Sequence, residues 1–262
     1  MSTTPGPGES TSARERFGPR AAGYRTSTHH AAGPDLDLLV ELVDLQPDER
    51  ALDVATGGGH VALALARTGA DVTACDLTPE MLEEAGVLLG EQACAASLVV
   101  ADAAELPFDD ESFDVVTCRI AAHHFAEAQA FFDEVARVLA PGGRFGFQDH
   151  TLPPEPTSAV LADAFERTRD PSHVQAYNTE GWVTLIERSG LTVECSESFD
   201  KRHDFAEWTG LQDCDVTTVG ELAEIMAEAP EGMRRWLDPE YDGDALVSFR
   251  NRHLVVLARK PG

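Results

Sequence analysis

Short apolar runs alternate along this chain with longer stretches whose apolar positions recur every three or four residues. That alternation predicts β-α-β units around a mostly parallel sheet, an α/β fold. Strand-like runs fall at Arg50–Val54, Asp71–Cys75, Ser97–Ala101, Phe113–Cys118 and Gly143–Asp149, with helical periodicity over Gly59–Arg67, Pro79–Leu89 and Glu127–Leu139. Thr78 stands as N-cap of the second of these helices, with Pro79 in the first turn and Glu80 near the positive end of the dipole. The third runs into Ala140-Pro141-Gly142-Gly143, which stops a helix and turns the chain into the next strand. Upstream, Leu36, Leu39, Val40 and Val43 recur at helical spacing after Pro34.

After Asp149 the pattern changes. Leu152–Pro156 is a proline-rich connection, Thr157–Thr168 and Thr179–Arg188 read as helices, Leu191–Phe199 as a strand, and Leu246–Arg259 as a long final strand. Pro239–Gly243 reads as a turn and leaves no room for a crossover helix, so the last strand is expected to run antiparallel to its neighbour. No internal repeat is visible, and one domain with helical additions fits better than two.

Composition narrows the function classes. A hydrophobic content of 43% supports a packed core and excludes a disordered chain. The 46 acidic and 20 basic side chains leave a net charge of −26, and no Lys/Arg run reverses that field locally, so nucleic acid is excluded as a partner. The longest apolar stretches, such as residues 61–66, fall far short of the roughly 18 residues a membrane span needs. Residues 1–13 read as a flexible tail rather than a signal peptide, and a cytoplasmic location is expected. Cys75, Cys94, Cys118, Cys195 and Cys214 are widely spaced and never form C-x-x-C, so neither a disulfide framework nor a metal site is expected. Lys201 and Lys260 are the only lysines, and an acidic, lysine-poor surface suits a protein adapted to high salt, although high genomic GC content explains scarce lysine as well.

Candidate chemistry begins at the first strand-to-helix turn, Asp53-Val54-Ala55-Thr56-Gly57-Gly58-Gly59-His60. Glycines there let the backbone turn tightly and approach a ligand, and amides at the helix start offer donors to an anionic or carboxylate-bearing group. Gly57-x-Gly59-x-x-Ala62 also satisfies the loose dinucleotide pattern, so the loop alone leaves nicotinamide and other nucleoside cofactors open. Asp76 ends the second strand and Asp102 follows the third. One acid placed for a ribose and one beside a base describe an adenosine pocket.

The strings ALDVATGGGH, ACDLTPEML, VVADAAELPFDDESFDVVTCRIAAHHF and EVARVLAPGGRF, taken in order, resemble the motifs of the class I S-adenosylmethionine-dependent methyltransferases. More narrowly they are similar to the small-molecule branch of ubiquinone- and menaquinone-C-methyltransferase-like proteins. The likeness runs from about Tyr24 to His150, and ERTRDPSHVQAY extends it toward Gly190. It implies a Rossmann-like seven-stranded, mostly parallel sheet with an antiparallel last strand, helices on both faces and an N-terminal helical lid. The expected division of the single domain is a lid over residues 14–48, a cofactor-binding core over 49–150, and acceptor-side helices with the last two strands over 151–262.

The resemblance also implies site residues. Ala55, Thr56, Gly57 and Gly59 would line the methionine part of S-adenosyl-L-methionine, with Asp53 reaching its amino group. Asp76 would bind the ribose, Leu77 and Met81 would pack on the adenine, and Asp102 with the Ala103 amide would read the adenine edge. Cys118 and Arg119 would face the methionine carboxylate, and Tyr24 belongs to the lid. Many members have glycine where this chain has Ala55, which a negative φ would accommodate.

The reaction expected is in-line transfer of a methyl group to a small-molecule acceptor, at oxygen or carbon. His123 and His124 follow the fourth strand at the rim where cofactor and acceptor meet, so either is a candidate general base; the structural alternative is a helix cap. His150, Arg169 and His173 are acceptor-side candidates. His29-His30 near the N-terminus does not by itself make a metal site. Val160–Phe165, Trp182, Trp208, Met226 and Trp236 could roof a hydrophobic acceptor, with core packing the commoner role for such residues. The rival readings are an NAD(P)-dependent oxidoreductase, opposed by the absence of any Tyr-x-x-x-Lys pair, and a catalytically silent cofactor-binding protein. A monomer or homodimer is expected.

Overall fold

The computed structural model describes residues 13–26 and 33–262. The expected tail over 1–13 lies outside them except for Ala13, as does His29-His30, and the side chain of Tyr24 is likewise outside the described atoms. Seven strands form the sheet path: β1 (Arg50–Val54), β2 (Asp71–Asp76), β3 (Ser97–Val100), β4 (Phe113–Arg119), β5 (Leu139–Thr151), β6 (Thr192–Asp204) and β8 (Ala245–Arg259). Their order is β3-β2-β1-β4-β5-β8-β6, and the three-residue β7 (Glu240–Asp242) pairs with β8 off this path. The first five strands pair in parallel, whereas β8 runs antiparallel to both β5 and β6.

This order places the site. The chain builds outward from β1 through β2 to β3, then returns to lay β4 on the other flank of β1. The reversal makes β1 and β4 the topological switch point, where the connections leave in opposite directions and open a crevice beyond the carboxyl ends of the strands. Side-chain alternation explains why both faces of the sheet are covered. Ala51, Val115 and Val255 face one apolar cluster with Leu39, Val61 and Leu65. Leu52, Val116 and Val256 face the other with Phe131, Phe132, Phe147 and Trp182.

The N-terminal segment forms α1 (Ala13–Phe17), a 3-10 turn at Gly18–Arg20 and α2 (Ala21–Thr26); α3 (Pro34–Val43) then precedes β1. The helices α4 (His60–Ala66), α5 (Pro79–Glu91) and α6 (Ala128–Val138) lie within two residues of their expected bounds, as do α7 (Pro156–Arg169) and α8 (Thr179–Arg188). Three features differ from expectation. Thr78 is the N-cap of α5 by position but makes no side-chain cap bond. The Pro-Gly-Gly cluster stops α6 yet lies inside β5, where a register shift between Phe113 and Val115 accommodates it. Residues 239–243, read as a turn, contain β7, and β6 runs to Asp204 rather than ending at Phe199. Helices α9 (Phe205–Gly210), α10 (Val216–Glu228) and α11 (Glu231–Leu237) were not expected. Among the described residues no helix is long and apolar enough to cross a membrane, and all five cysteines are free thiols.

Candidate functional site

The residues closing β1 carry the first part of the site. Asp53 is buried beside its register partner on β4, Thr117, whose hydroxyl donates to Oδ1 at 2.8 Å, while the Thr56 hydroxyl donates to Oδ2 at 2.6 Å. Burial pushes the Asp53 carboxyl up to about 6, against the lowering effect of those two hydroxyls. The following loop turns sharply, with Ala55 at φ +54°, Gly57 at +53° and Gly59 at +86°. Ala55 therefore does not have the negative φ that would make alanine costless there, and the turn holds a side chain in the left-handed region.

The two glycines have different reasons. A Cβ on Gly57 would meet nothing within 4 Å, whereas one on Gly59 would lie 2.8 Å from the Ala85 Cβ. Gly57 faces open space, and Gly59 lets α4 pack against α5. Asp76 ends β2 and accepts from the Gly57 amide at 2.9 Å and the Thr78 amide at 2.9 Å, one on each oxygen. It ties the glycine loop to the start of α5, and burial raises its carboxyl above the usual carboxylate range. Asp102 is exposed, and its Oδ1 accepts from the Ala104 amide at 2.9 Å.

A cavity of about 550 Å³ opens over these strand ends. It is lined by Asp53, Ala55, Thr56, Gly57, Asp76, Leu77, Met81, Asp102, Ala103 and Arg119, together with His123, His124 and Arg169. Other expected site residues lie elsewhere. Gly59 is not part of the lining. Cys118 is wholly buried in the apolar core, because alternation along β4 turns it to the opposite face from Thr117 and Arg119, and burial raises its thiol well above the usual range. His150 and His173 sit behind His123, with ring centroids 4.5 and 5.4 Å from it. Arg119 lines the cavity, but its Nε and Nη2 donate to the buried Asp35 Oδ2 at 3.1 and 2.5 Å. Arg169 stacks over Trp208 at 4.4 Å and donates to its carbonyl at 3.0 Å. Trp182, Trp208 and Met226 are core residues and reach no cavity wall.

His123 and His124 close a short 3-10 helix (Ala122–His124) entered through Ile120 at φ +54°, an unusual conformation for a β-branched side chain. The His123 ring Nδ1 lies 2.7 Å from Asp149 Oδ1, and burial lowers the imidazole well below its ordinary value despite that neighbour. His124 contacts the Ser172 carbonyl through Nδ1 at 3.0 Å and packs against the Phe17 ring at 4.9 Å. Sequence reasoning missed Phe17, Asp35, Ile120 and Asp149. Asp149 carried the same signal as Asp76 and Asp102, an acid near the carboxyl end of a strand; Phe17 and Asp35 carried none, since only tertiary packing brings them there. His123, Asp149 and His150 each present one potential ligand atom within 4.8 Å of the others, a span a cation could bridge, in a chain expected to hold no metal.

From the N-terminal segment, Phe17 at the end of α1 lines the cavity. Arg16 donates to Gln212 Oε1 at 3.0 Å and to its carbonyl at 2.7 Å, and Arg25 pairs with Glu84 of α5 at 2.6 Å.

A family model described as a methyltransferase domain matches residues 52–147. The uncharacterized methyltransferase YcgJ of Bacillus subtilis is 34% identical over 193 residues, 73% of this chain and 76% of its own length. Its crystal structure covers 87% of this chain and 98% of that one with a TM-score of 0.84 at 27% identity. A demethylmenaquinone methyltransferase of Clavibacter sepedonicus is 39% identical over 131 residues, 48% of this chain and 51% of that relative. A phosphoethanolamine N-methyltransferase of Haemonchus contortus, solved with S-adenosylhomocysteine, shares the fold at 18% identity and a TM-score of 0.62, covering 92% of this chain and 57% of that one.

Proposed function

The chain belongs to the class I S-adenosylmethionine-dependent methyltransferases, and from that premise we propose that it moves a methyl group from S-adenosyl-L-methionine to oxygen or carbon of a small-molecule acceptor. The observation that carries this reading is a cavity at the switch point whose lining combines the glycine loop and the strand-end acids with His123 and His124. The residues fit the cofactor. Gly57 leaves open space where a side chain would stand, and the half-exposed Leu77 with Met81 offers an apolar surface for a purine. Asp76 spends one acceptor position per oxygen on backbone amides and retains lone pairs for ribose hydroxyls. Asp53 would hold the amino group of the methionine part, and Asp102 with the Ala103 amide the adenine edge. Arg119, clamped by Asp35, adds positive charge near the carboxylate rather than an open fork.

S-adenosylmethionine supplies an already activated methyl, so the protein's work is alignment of the acceptor and removal of its proton. His123 is the reading's general base. Calorimetric titration tests the cofactor: one-to-one binding of S-adenosylmethionine and S-adenosylhomocysteine with none of NADH is expected, and binding of NADH alone would return the loop to an oxidoreductase. Asp76→Ala is expected to abolish that binding. Unchanged affinity in this variant would sink the assignment.

A further inference from the structure

Behind the acceptor wall of the cavity lies a carboxylate that the cofactor does not require. Asp149, near the end of β5, is fully buried and does not line the cavity. Its Oδ1 meets the His123 ring Nδ1 at 2.7 Å, the His150 amide at 2.7 Å and the His150 ring Nδ1 at 3.1 Å; its Oδ2 accepts from the His123 amide at 3.2 Å. An ionised carboxylate only accepts hydrogen bonds, so each imidazole nitrogen turned to it carries a proton. For His123 that leaves Nε2, on a ring that lines the cavity, as the nitrogen with a lone pair.

We infer that Asp149, backed by His150, is a positioning residue that fixes His123 as its Nδ1–H tautomer, with Nε2 set to take the proton of a hydroxyl-bearing acceptor. The inference rests on the methyltransferase reading and deepens it. The same logic orients the histidine of a hydrolytic triad, where a buried carboxylate selects the tautomer that can accept from a hydroxyl. The backbone is held as firmly as the ring, since the His123 carbonyl accepts from the Val174 and Gln175 amides at 2.9 and 3.0 Å. His124, His150 and His173 pack around the ring at centroid distances of 4.0, 4.5 and 5.4 Å, and Asp163 holds His173 through Nε2 at 2.7 Å. Burial keeps His123 neutral, whereas the Asp149 hydrogen bond and charge outweigh burial at His150 and raise it.

A hydroxyl is the acceptor that needs this device. Phenols and alcohols remain protonated at neutral pH and attack weakly until the proton leaves, whereas a thiol ionises far more readily by itself. In the step served, the acceptor proton passes to His123 Nε2 as the acceptor oxygen bonds to the methyl carbon. The carbon–sulfur bond of the donor breaks with its electron pair remaining on sulfur, and the imidazolium rests against Asp149. Phe17, Phe125, Val174 and Leu211 give the cavity apolar lining, and Arg169 is offset there by its neighbour Asp170 and by Glu127, so the acceptor class is an uncharged phenol.

The test is nitrogen-15 imidazole spectroscopy on the full chain at pH 7 with S-adenosylhomocysteine, followed by transfer assays on simple phenols, thiols and amines. A neutral Nδ1–H tautomer at His123 is expected in the wild type. Asp149→Asn should bind S-adenosylhomocysteine within about threefold of wild type yet transfer to phenols about 10²-fold more slowly, chiefly in kcat, with His123→Ala falling at least as far. An Nε2–H tautomer or an imidazolium at His123 would overturn the inference, as would preference for thiols or amines over phenols. His123 and His150 signals that change on adding EDTA to the purified protein would assign the cluster to a metal ion and overturn it too. Failure of S-adenosylhomocysteine to bind the wild type would remove the cofactor reading and this inference with it, whereas binding with the wrong tautomer removes this inference alone.

Discussion

Ala55 sits at φ +54° in the loop that would cradle the cofactor, and an alanine in the left-handed region costs roughly 1–2 kcal/mol relative to its preferred conformations. Glycine relieves that strain but raises unfolded-state entropy by about 0.4–1 kcal/mol, so Ala55→Gly should stabilise the protein by at most ~1.6 kcal/mol in urea unfolding. Destabilisation would mean the methyl group makes contacts worth more than the strain. Asp53 shows a second cost. Its carboxyl stands at about 6 in the folded chain because burial disfavours the charge, against 3.8 as the ordinary value. A folded pKa above the unfolded one contributes stability that is fully present below 3.8 and lost as pH rises through 6. Asp53→Asn cannot ionise, so its stability relative to wild type should rise by about 1.5 kcal/mol between pH 5 and pH 8, measured by urea midpoints at both. A pH-independent difference would show that the carboxyl is not perturbed. These acids were legible in the sequence because each closes a strand. Cys118 was misplaced by one step of strand alternation, and the Arg119 partner Asp35 was invisible because it is 84 residues away on another element.

At the scale of elements, the two loop glycines separate a binding role from a packing role. Gly57→Ala meets open space and should cost only the roughly 1–2 kcal/mol of its positive φ. Gly59→Ala adds a clash with the Ala85 Cβ at 2.8 Å and its Cα at 2.9 Å, so α4 and α5 must separate, and the expected loss is about 2–4 kcal/mol. Equal urea midpoints for the two variants would contradict this division. The β-α-β half of the fold was readable because its strands are short apolar runs and its helices keep period. The second half was not. Helix α10 begins Val216-Thr217-Thr218-Val219, a β-branched run that reads as strand, and is made helical by the Asp215 cap on the Thr218 amide and by burial of Leu222 and Met226 one turn apart. Tertiary packing overrode local preference there. The Pro-Gly-Gly cluster was misjudged for the opposite reason: a register shift lets the sheet absorb residues that elsewhere end a strand.

Over the whole molecule, 20 basic side chains cannot neutralise 46 acidic ones, and the excess of 26 negative charges repels itself across a compact surface. Pairs such as Arg50–Asp114 at 3.2 Å and Arg202–Asp238 at 2.6 Å are exposed, and such pairs contribute about 0–1 kcal/mol each before screening. Salt therefore acts with two signs. It weakens those attractions, and it weakens a repulsion spread over many more charges as the screening length falls from about 10 Å at 0.1 M to 3 Å at 1 M. Because the unpaired excess is larger than the sum of exposed pairs can balance, repulsion should dominate and the melting temperature should rise between 0.05 and 1 M sodium chloride. A relief of a few kcal/mol would appear as roughly 5–10 °C. Screening saturates once its length is shorter than the spacing of surface charges, whereas the general exclusion of salt from protein surface keeps growing with concentration. The screening part of the rise should accordingly be complete before molar salt. A flat or falling curve would mean that the arginine pairs outweigh the net charge.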